Sequence, residues 1–514
     1  MTIHRFFNQS TALIMSGCLF LGACSDKNEV MPLDPQTHKQ TEREGKRLTT
    51  EEMFWANQFA SDILSSYYYW NEEIAKDLLK LDPNTNQNPI KTVSEIKYHE
   101  GKKVIDKWTS LIRNMHQFQE GISGINTTYG FQPVTYLLKE GSNECVSAIA
   151  YVHKNSPAAK VGLKRGDIIY MVNGEKLTTE NLSALFESSS VTLSLAKLEV
   201  SGGERNIVPS DKNVELTAVQ MYEDPILLDS IYEIGNKKVG YLAYSSFDLN
   251  SIPRLIEISK KFKAKGVKEL ILDFRYNGGG YVITENAMAS MYAPQQDVEA
   301  RKVFEKEKYN KEMTALNKKE GDNGETLFKT EYKFKDTNGK LVSVSTQGAN
   351  IGIDKVYGLI TKNSASASEA LLGGLMPYLD VELIGQPSHG KYCTGWMISA
   401  KDAYNVVPEA IKDWGIYVMV SIYQNAAGQT PCMPDGLQPT IKATDDPMFP
   451  TQLGDVNEEM LKTALMRAGK NYDRPQTRSA QLTNTLKVVE GPHGASFGKR
   501  IMIPEEFLNG HKLD

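Results

Sequence analysis

One strand–turn–helix–strand pattern constrains the fold of this chain more than any other feature of its sequence. Apolar runs at residues 356–360 and 381–385 predict two short buried strands, and residues 367–376 predict a helix with small side chains on one side. Ser366 then lies on the turn before that helix, where unpaired N–H groups favour negative charge. Lys391 follows the second strand. The pattern predicts an α/β core with its chemistry at the strand ends.

Ser366 and Lys391 are candidates for a nucleophile and its base. A serine hydroxyl reacts poorly near neutral pH unless a proton acceptor lies within hydrogen-bonding reach, and an amine can serve if burial lowers its pKa. Two plainer interpretations stay open, because Ser366 could be only a helix cap and Lys391 only a surface charge. His389, two residues before Lys391, is an alternative base.

A glycine triplet supplies a second candidate element. Residues 268–275 are rich in strand-forming side chains and lead into Gly278, Gly279 and Gly280. Glycines let a backbone approach a ligand closely and can direct N–H groups at an oxyanion. A tight connection between a strand and a helix would also use them.

Three blocks, in this order, resemble those of the C-terminal processing peptidases, which are also called tail-specific proteases. They are residues 272–280, 364–369 and 385–391. The resemblance implies a serine peptidase, and both the order and the spacing of the blocks fit that family.

The same resemblance assigns roles to individual residues. It implies that Ser366 is the nucleophile, that Lys391 is the general base, and that the amides of Ala367 and Gly279 form the oxyanion hole. The chain departs from the family at one position. Members often carry a glutamine four residues after the lysine to orient its amine, and this chain has Gly395 there.

A further region resembles a PDZ domain, a module that binds the C-terminal ends of polypeptides. The resemblance rests on residues 129–134, 146–152 and 156–174. The dipeptide Asn173-Gly174 is a strong signal for a two-residue hairpin. PDZ domains add a peptide as a strand and hold its carboxylate with backbone amides. The resemblance implies a carboxylate-binding loop at Tyr129, Gly130 and Phe131.

The first residues predict export and lipidation. Residues 12–23 are mostly apolar, and Leu21-Gly22-Ala23 precedes Cys24 in an order similar to a bacterial lipobox. We expect a signal peptide over residues 1–23, a lipid on Cys24, and a flexible tether over residues 24–48. The apolar run is shorter than the ~20 residues of a spanning helix. The expected location is the bacterial cell envelope, with a lipid anchor in a membrane.

The chain has five cysteines, and export would leave Cys145, Cys393 and Cys432 in the folded protein. A disulfide between Cys393 and Cys432 is one expectation, and buried free thiols are the other. No spacing typical of a metal site occurs, so neither a metal nor a cofactor is expected. The net charge of −5 is modest and no basic stripe is evident, which argues against nucleic-acid binding.

The predicted fold class is multidomain α/β (α+β), with a helical region, a small β-rich PDZ-like domain and an α/β protease core. The boundaries are 49–125 for the helical region, 126–210 for the PDZ-like domain, 225–450 for the core with a β-rich insertion at about 299–350, and 451–514 for a C-terminal helix and tail. Residues 49–52 predict a helix start, residues 328–334 an exposed strand before an Asn338-Gly339 hairpin, and residues 471–514 little independent structure.

These observations predict a serine endopeptidase that cleaves exported proteins selected by their C-terminal tails. The expected partners are polypeptides with accessible C-termini, together with a membrane through the lipid at Cys24. Two alternatives stay open. One is a lipoprotein that binds peptides without cleaving them, and the other is a scaffold in which only the PDZ-like domain acts.

Overall fold

The computed structural model of the chain describes residues 47–336, 339–472, 486–489, 497–503 and 511–513. The predicted signal peptide, Cys24 and nearly all of the tether lie outside these residues. Within the described ranges, no helix has both the length and the apolar character that crossing a membrane requires.

The helices are mostly short, and the first is the longest of those described. In chain order they are α1 Thr50–Tyr67, α2 Pro89–Ile96, α3 Met115–Ile122, α4 Pro157–Lys160, α5 Ala184–Glu187, α6 Ile252–Ala264, α7 Val282–Tyr292, α8 Gln295–Glu299, α9 Lys311–Glu320, α10 Ala367–Leu375, α11 Ala400–Ala403 and α12 Glu459–Arg467, with 3₁₀ turns at Asp77–Leu81 and Glu409–Ile411.

The strands form several separate sheets. In chain order they are β1 His99–Glu100, β2 Lys103–Val104, β3 Ser110–Ile112, β4 Ile125–Thr128, β5 Phe131–Leu137, β6 Cys145–Val152, β7 Ile168–Val172, β8 Glu175–Lys176, β9 Ser190–Ser201, β10 Glu204–Thr217, β11 Val219–Tyr222, β12 Ile226–Ile234, β13 Lys237–Tyr244, β14 Glu269–Asp273, β15 Gly279–Tyr281, β16 Val303–Tyr309, β17 Glu325–Leu327, β18 Glu331–Lys335, β19 Leu341–Ser345, β20 Lys355–Ile360, β21 Asp380–Gly385, β22 Cys393–Ser399, β23 Gly415–Asn425, β24 Ile441–Lys442, β25 Val488–Val489 and β26 Lys499–Met502.

The N-terminal region begins with a capped helix, as residues 49–52 predict. The Thr49 hydroxyl accepts from the Glu52 N–H at 3.1 Å, and the Glu52 carboxylate accepts from the Thr49 N–H at 2.9 Å. This reciprocal pair satisfies two donors at the start of α1. The predicted helix start is therefore confirmed.

The aromatic residues at the end of α1 fasten this region to the rest of the molecule. Tyr68 is fully buried and donates to the Asp106 carboxylate at 2.8 Å. Trp70 stacks on Tyr98 with ring centres 5.4 Å apart. The Tyr69 N–H donates to a carbonyl of β23 at 2.8 Å, which joins the helical region to the core.

The PDZ-like domain is built on one antiparallel sheet in the order β10-β9-β7-β6-β5-β25, with β8 paired to β7. The predicted hairpin between β7 and β8 is confirmed, because Asn173 and Gly174 both have positive φ, 52° and 83°. The sheet continues to Thr217, beyond the expected boundary at 210. Its outermost strand, β25, comes from the far end of the chain.

The core contains a mainly parallel sheet in the order β12-β13-β14-β20-β21-β24. Strands β13, β14, β20, β21 and β24 run parallel, and β12 is antiparallel at one edge. Apolar side chains fill β14 and β20, because both faces of a parallel sheet are covered. The carboxyl ends of β14, β20 and β21 deliver the three predicted motif blocks to one edge of the sheet.

A second core sheet has the order β15-β26-β22-β23-β16-β17, with β3 also paired to β23. Part of the insertion expected at about 299–350 belongs to this sheet. Strand β16 pairs with β23, and the fully buried Glu305 and Glu307 on β16 hold the Arg500 guanidinium of β26. The first part of the predicted insertion is therefore a structural part of the core.

The later part of that insertion is a hairpin of β18 and β19. The alternating strand expected at 328–334 forms over residues 331–335. Strand β18 has one exposed and one buried face, with Tyr332 and Phe334 at 2 % and 5 % exposure, and Phe328 before it is fully buried. Asn338 of the predicted turn lies outside the described residues.

The described parts of the C-terminal region are one helix and two strands that join other sheets. Helix α12 lies within the range expected for a C-terminal helix. Beyond it, β25 extends the PDZ-like sheet, and β26 lies between β15 and β22 in the second core sheet. These strands form by pairing with distant residues, which a local sequence pattern does not reveal.

Candidate active site

Ser366 lies on a strained turn immediately before α10. Its φ of 65° and ψ of −115° are unusual for a residue with a side chain, and such strain is concentrated at functional sites. The residue is fully buried. Within the described part of the chain, its Oγ is a buried hydroxyl without a hydrogen-bond partner. Ser366 is also the N-cap of α10, but a helix cap alone would not require this strained backbone.

The neighbouring serines in the same block have different roles. The Ser364 hydroxyl donates to the Phe274 carbonyl at 2.8 Å, and the Ser368 hydroxyl donates to the Asn277 carbonyl at 2.9 Å. Both bonds tie the turn to the end of β14. They hold the backbone around Ser366 in place and leave its oxygen as the one in the block that is available for chemistry.

Glu369 joins the nucleophile turn to the lysine loop. Its carboxylate accepts from the Ser366 N–H at 2.7 Å, from the Gly390 N–H at 2.6 Å and from the Lys391 N–H at 2.9 Å, and it also bonds the Ser388 hydroxyl. Burial raises the pKa of Glu369 to about 7, against the lowering effect of these donors. The sequence analysis missed this residue, although a serine followed three positions later by glutamate is a known capping pattern.

Lys391 is fully buried, so the surface-charge interpretation does not fit its position. Burial lowers the pKa of its amine to about 8, partly offset by Cys393 and Asp106. The Nζ donates to the Cys393 carbonyl at 2.6 Å and lies 3.4 Å from the Tyr417 hydroxyl. Trp108 covers it, with the ring centre 5.1 Å from Nζ. A large neutral fraction near pH 8 is what a lysine base requires.

Tyr417 occupies the space that a side chain at position 395 would need. A Cβ on Gly395 would lie 2.4 Å from Cε2 of Tyr417 and 2.5 Å from its Cζ. The Tyr417 hydroxyl donates to the Arg500 carbonyl and accepts from the Arg500 N–H, each at 3.1 Å. The backbone of β26 therefore fixes the oxygen that faces Lys391, and this oxygen stands where the family's glutamine is expected to act.

Gly279 lies directly against the nucleophile. A Cβ at this position would be 2.7 Å from Cβ of Ser366, and φ is 112°, so only glycine fits. Its N–H donates to the Asn277 side-chain oxygen at 2.9 Å. Ala367, the other predicted oxyanion donor, is the first residue of α10 and is fully buried. The structure thus brings together Ser366, Ala367 and Gly279.

With this geometry in view, comparisons with known proteins identify the core. Residues 238–443 match the family model described as peptidase family S41, and residues 149–197 match the PDZ domain model. The core region is therefore similar to peptidase family S41. The S41 match includes Ser366, Lys391 and Gly279.

Curated relatives agree with this similarity. The chain is 26 % identical over 258 residues to the "Carboxy-terminal processing protease CtpA" of Bacillus subtilis (strain 168), an alignment that covers 49 % of this chain and 45 % of the relative. It is 24 % identical over 281 residues to a "Probable CtpA-like serine protease" of Staphylococcus epidermidis, covering 54 % and 47 %. The chain therefore spans about half the length of the curated relatives it matches.

Among solved structures, the fold is similar to that of an S41 protease from Bacteroides fragilis NCTC 9343. The TM-score is 0.58 at 20 % identity, and the match covers 81 % of this chain and 97 % of the other. This similarity concerns the fold.

The predicted carboxylate-binding loop precedes β5 of the PDZ-like domain. Gly130 has a φ of 81°, and a Cβ there would be 2.1 Å from Cβ of Ser156. Its N–H donates to the Thr128 hydroxyl at 2.9 Å, and the rings of Tyr129 and Phe131 stack 6.3 Å apart. The loop is therefore a tight turn in which glycine is required by space.

The PDZ-like domain contacts the end of β14 through buried polar side chains. Arg165 donates to the Asp445 carboxylate and to the Tyr276 hydroxyl, each at 2.6 Å. Arg275 donates to the same Asp445 at 2.9 Å. Arg275 and Tyr276 immediately precede Asn277 and the glycine turn. The contact with the PDZ-like domain is therefore only a few residues from Gly279, the predicted oxyanion donor.

The remaining sequence candidates are placed as follows. The His389 ring packs edge-on against Phe497 and Trp108, with centres 5.0 and 6.3 Å away. Cys145, Cys393 and Cys432 are buried free thiols, so the alternative of a Cys393–Cys432 disulfide is wrong. Burial raises the pKa of Cys393 to about 12, which makes it a poor nucleophile.

Proposed function

We propose that this chain is a serine endopeptidase of the C-terminal processing type, with Ser366 as nucleophile and Lys391 as base. One observation carries the proposal. Glu369 holds the strained turn of Ser366 and the loop of the buried, pKa-lowered Lys391 in one hydrogen-bonded unit. A helix cap accounts for the bond between Glu369 and Ser366, but neither a cap nor a surface lysine requires the bonds from the same carboxylate to Gly390 and Lys391.

Neutral Lys391 is arranged to accept a proton. A neutral amine has two N–H donors and one lone pair. The donors are used by the Cys393 carbonyl and the Tyr417 hydroxyl, which leaves the lone pair as the acceptor. In the proposed reaction this lone pair takes the proton of Ser366, whose Oγ is unbonded within the described residues. Tyr417 thereby acts as a positioning residue.

The reaction is acyl transfer to water. Lys391 takes the proton of Ser366 while Oγ attacks a peptide carbonyl, and the amides of Ala367 and Gly279 stabilise the oxyanion. Each such donor can contribute ~3 kcal/mol to the transition state. Lys391 then returns the proton to the leaving amine. Water hydrolyses the acyl-enzyme by the same steps, with Lys391 as base again.

The arrangement described is a resting one. Ser366 is fully buried, and the N–H of Gly279 is bonded to Asn277. Catalysis requires substrate to reach Ser366 and requires Gly279 to exchange this bond for one to the substrate oxygen. The contact of Arg165 and Tyr276 with the chain just before Gly279 offers a route by which the PDZ-like domain can influence that exchange.

Substrate selection and location are part of the same proposal. The PDZ-like domain would bind a substrate's C-terminal carboxylate at Tyr129, Gly130 and Phe131 and deliver the chain to Ser366. A lipid on Cys24 would hold the exported enzyme at a membrane of the cell envelope. The match to PDZ and S41 models in one chain supports the first part, and the lipobox-like sequence supports the second.

The test is cleavage of unfolded substrates that differ only in their C-terminal residues. The signal-free protein is compared with Ser366→Ala, Lys391→Ala and His389→Ala variants. We expect cleavage to depend on the substrate's terminal residues and to be lost in the first two variants. If the parent cleaves no better than either variant, the protein is a non-catalytic peptide binder. Cleavage that survives in Lys391→Ala but vanishes in His389→Ala would show that His389 is the base.

A further inference from the structure

The outer edge of strand β5 carries a segment from the chain's own C-terminal region. Strand β25 pairs antiparallel with β5, and Val489 lies opposite Thr135. The Leu137 N–H donates to the Lys487 carbonyl at 2.9 Å. The other edge of β5 is paired with β6, so β25 covers the edge that would otherwise be open.

This segment has the polarity of a PDZ ligand. Strand β5 leads away from the predicted carboxylate loop at Tyr129–Phe131, so an antiparallel neighbour runs toward that loop. A peptide whose carboxylate binds in the loop and whose backbone extends the sheet at β5 must run in the same direction. Both would use the β5 backbone near Thr135.

The side chains of the segment are seated on both faces of the sheet. Val489 packs against the same apolar cluster as Phe131 and Phe186, the latter from α5. Leu486 and Val488 pack against the cluster on the opposite face. Alternate side chains in alternate pockets are how an added strand gains specificity in this kind of recognition.

Another part of the C-terminal region, residues 497–502, lies beside the candidate catalytic site. The Gly498 N–H donates to the Gly278 carbonyl at 2.8 Å, and β26 then pairs with β15. A Cβ on Gly278 would lie 2.5 Å from Cα of Phe497, so the two backbones are in direct contact. The C-terminal region therefore lies both at the PDZ-like edge and beside the glycine turn next to Ser366.

We infer that residues 486–489 are an intramolecular ligand of the PDZ-like domain, and that a substrate tail binds by displacing them. The inference rests on the proposed function in one respect, namely that the ligand competing for this edge is the C-terminal tail of a substrate. A sheet edge accepts one added strand at a time. The affinity for an external tail is therefore reduced by the fraction of molecules whose edge is already occupied.

Binding of a peptide with the segment's own sequence tests this. The probe is labelled Asn-Thr-Leu-Lys-Val-Val, residues 484–489, with a free C-terminal carboxylate. The full chain carries Ser366→Ala so that the probe is not cleaved, and it is compared with the same protein carrying Val489→Asp. A charged side chain at 489 disfavours packing against the apolar cluster, so the segment leaves the edge of β5 more often. Because the edge is then open to the probe, we expect the Kd of the probe to fall roughly tenfold.

Amide hydrogen exchange provides a second measurement that does not depend on the probe. The Leu137 amide loses its partner when the segment leaves, so its exchange accelerates in Val489→Asp and slows again when the probe is added. The matched control is Val208→Asp, an exposed position on β10 of the same sheet. It leaves both the Kd and the exchange of Leu137 unchanged.

Equal probe affinity in the parent and in Val489→Asp overturns the inference, as does unchanged exchange of Leu137. Failure of the probe to bind Val489→Asp also overturns it, because an open edge should take the segment's own sequence. Failure of the proposed function is a separate result. It appears as cleavage that does not depend on Ser366, and it leaves this binding measurement standing because both proteins carry Ser366→Ala.

Discussion

At the scale of single residues, the sequence predicts candidates for the reacting groups but not the residues that contact them. Ser366 and Lys391 stand out by motif and spacing, whereas Tyr417 and Glu369 act on them through contacts between distant strands and loops. From the sequence alone, Gly395 shows only that the glutamine found in many family members is absent. In three dimensions it is the space that the Tyr417 ring fills.

Cleavage should depend on pH through Lys391. Burial lowers the pKa of this amine to about 8, and only the neutral form accepts a proton. We therefore expect log kcat/KM to rise with pH below about 8 and to level off above it, because the protonated, inactive fraction disappears. A pH profile that is flat between 7 and 9 would show that the base is not an amine of this kind.

Removing the Tyr417 hydroxyl should impair catalysis, and it should also cost some stability because the hydroxyl bonds the Arg500 backbone. Tyr417→Phe keeps the ring that fills the space beside Gly395 and deletes the oxygen that faces Lys391. We expect kcat to fall by about tenfold, at the low end of what a positioned proton-transfer group contributes, with KM little changed. The rising limb of the pH profile should also move.

Tyr232→Phe is the control for that change. Tyr232 lies on β12, the edge strand of the mainly parallel sheet, and donates to the Gly454 carbonyl at 2.6 Å. Within the described part of the chain, it forms no hydrogen bond with Ser366 or Lys391. Its loss should cost stability of the order of one hydrogen bond, about 1 kcal/mol, and leave kcat as it is. If both variants lower kcat equally, the role of Tyr417 is structural.

At the scale of elements, local patterns predict the parallel sheet well. The expected strands at 356–360 and 381–385 agree with β20 and β21, and the expected helix over 367–376 agrees with α10. Each is an apolar run bounded by turn residues, which is information contained in the run itself. The second sheet differs, because β16 and β26 are charged strands that are stable only beside their neighbours.

The buried charges of that second sheet make it sensitive to one substitution. Arg500 on β26 is surrounded by Glu285, Glu305 and Glu307, all at 2 % side-chain exposure or less. Burial raises the pKa of Glu285 and Glu305, against the lowering effect of Arg500. The guanidinium thus compensates a cluster of acids that the apolar interior would otherwise exclude.

Arg500→Met should therefore lower the free energy of unfolding by roughly 3–5 kcal/mol, because it leaves buried carboxylates without their cation. Urea denaturation at pH 7 measures the change. Lys91→Met removes a cation from an exposed pair with Glu95, and it should change stability by less than about 1 kcal/mol. Similar losses in the two variants would mean that the Arg500 cluster does not stabilise the sheet.

At the scale of the whole molecule, the PDZ-like domain and the α/β core are physically joined. The PDZ-like domain contacts the core through Arg165 and Asp445, and the C-terminal region contacts both the PDZ-like sheet and the catalytic sheet. The domain order could be predicted because each domain has its own motifs. The joining could not, since it depends on short strands of ordinary composition that pair with residues hundreds of positions away.

The central proposal is that Ser366 is the nucleophile, and the neighbouring serines provide the sharpest controls. Initial rates of cleavage of an unfolded protein are measured for the parent and for Ser364→Ala, Ser366→Ala and Ser368→Ala. The hydroxyls of Ser364 and Ser368 are used in structural bonds, so their loss should cost about 1–2 kcal/mol of stability and leave most of the activity at a temperature where the proteins stay folded. Ser366→Ala should be as stable as the parent and inactive. Cleavage by Ser366→Ala at the parental rate would contradict the account.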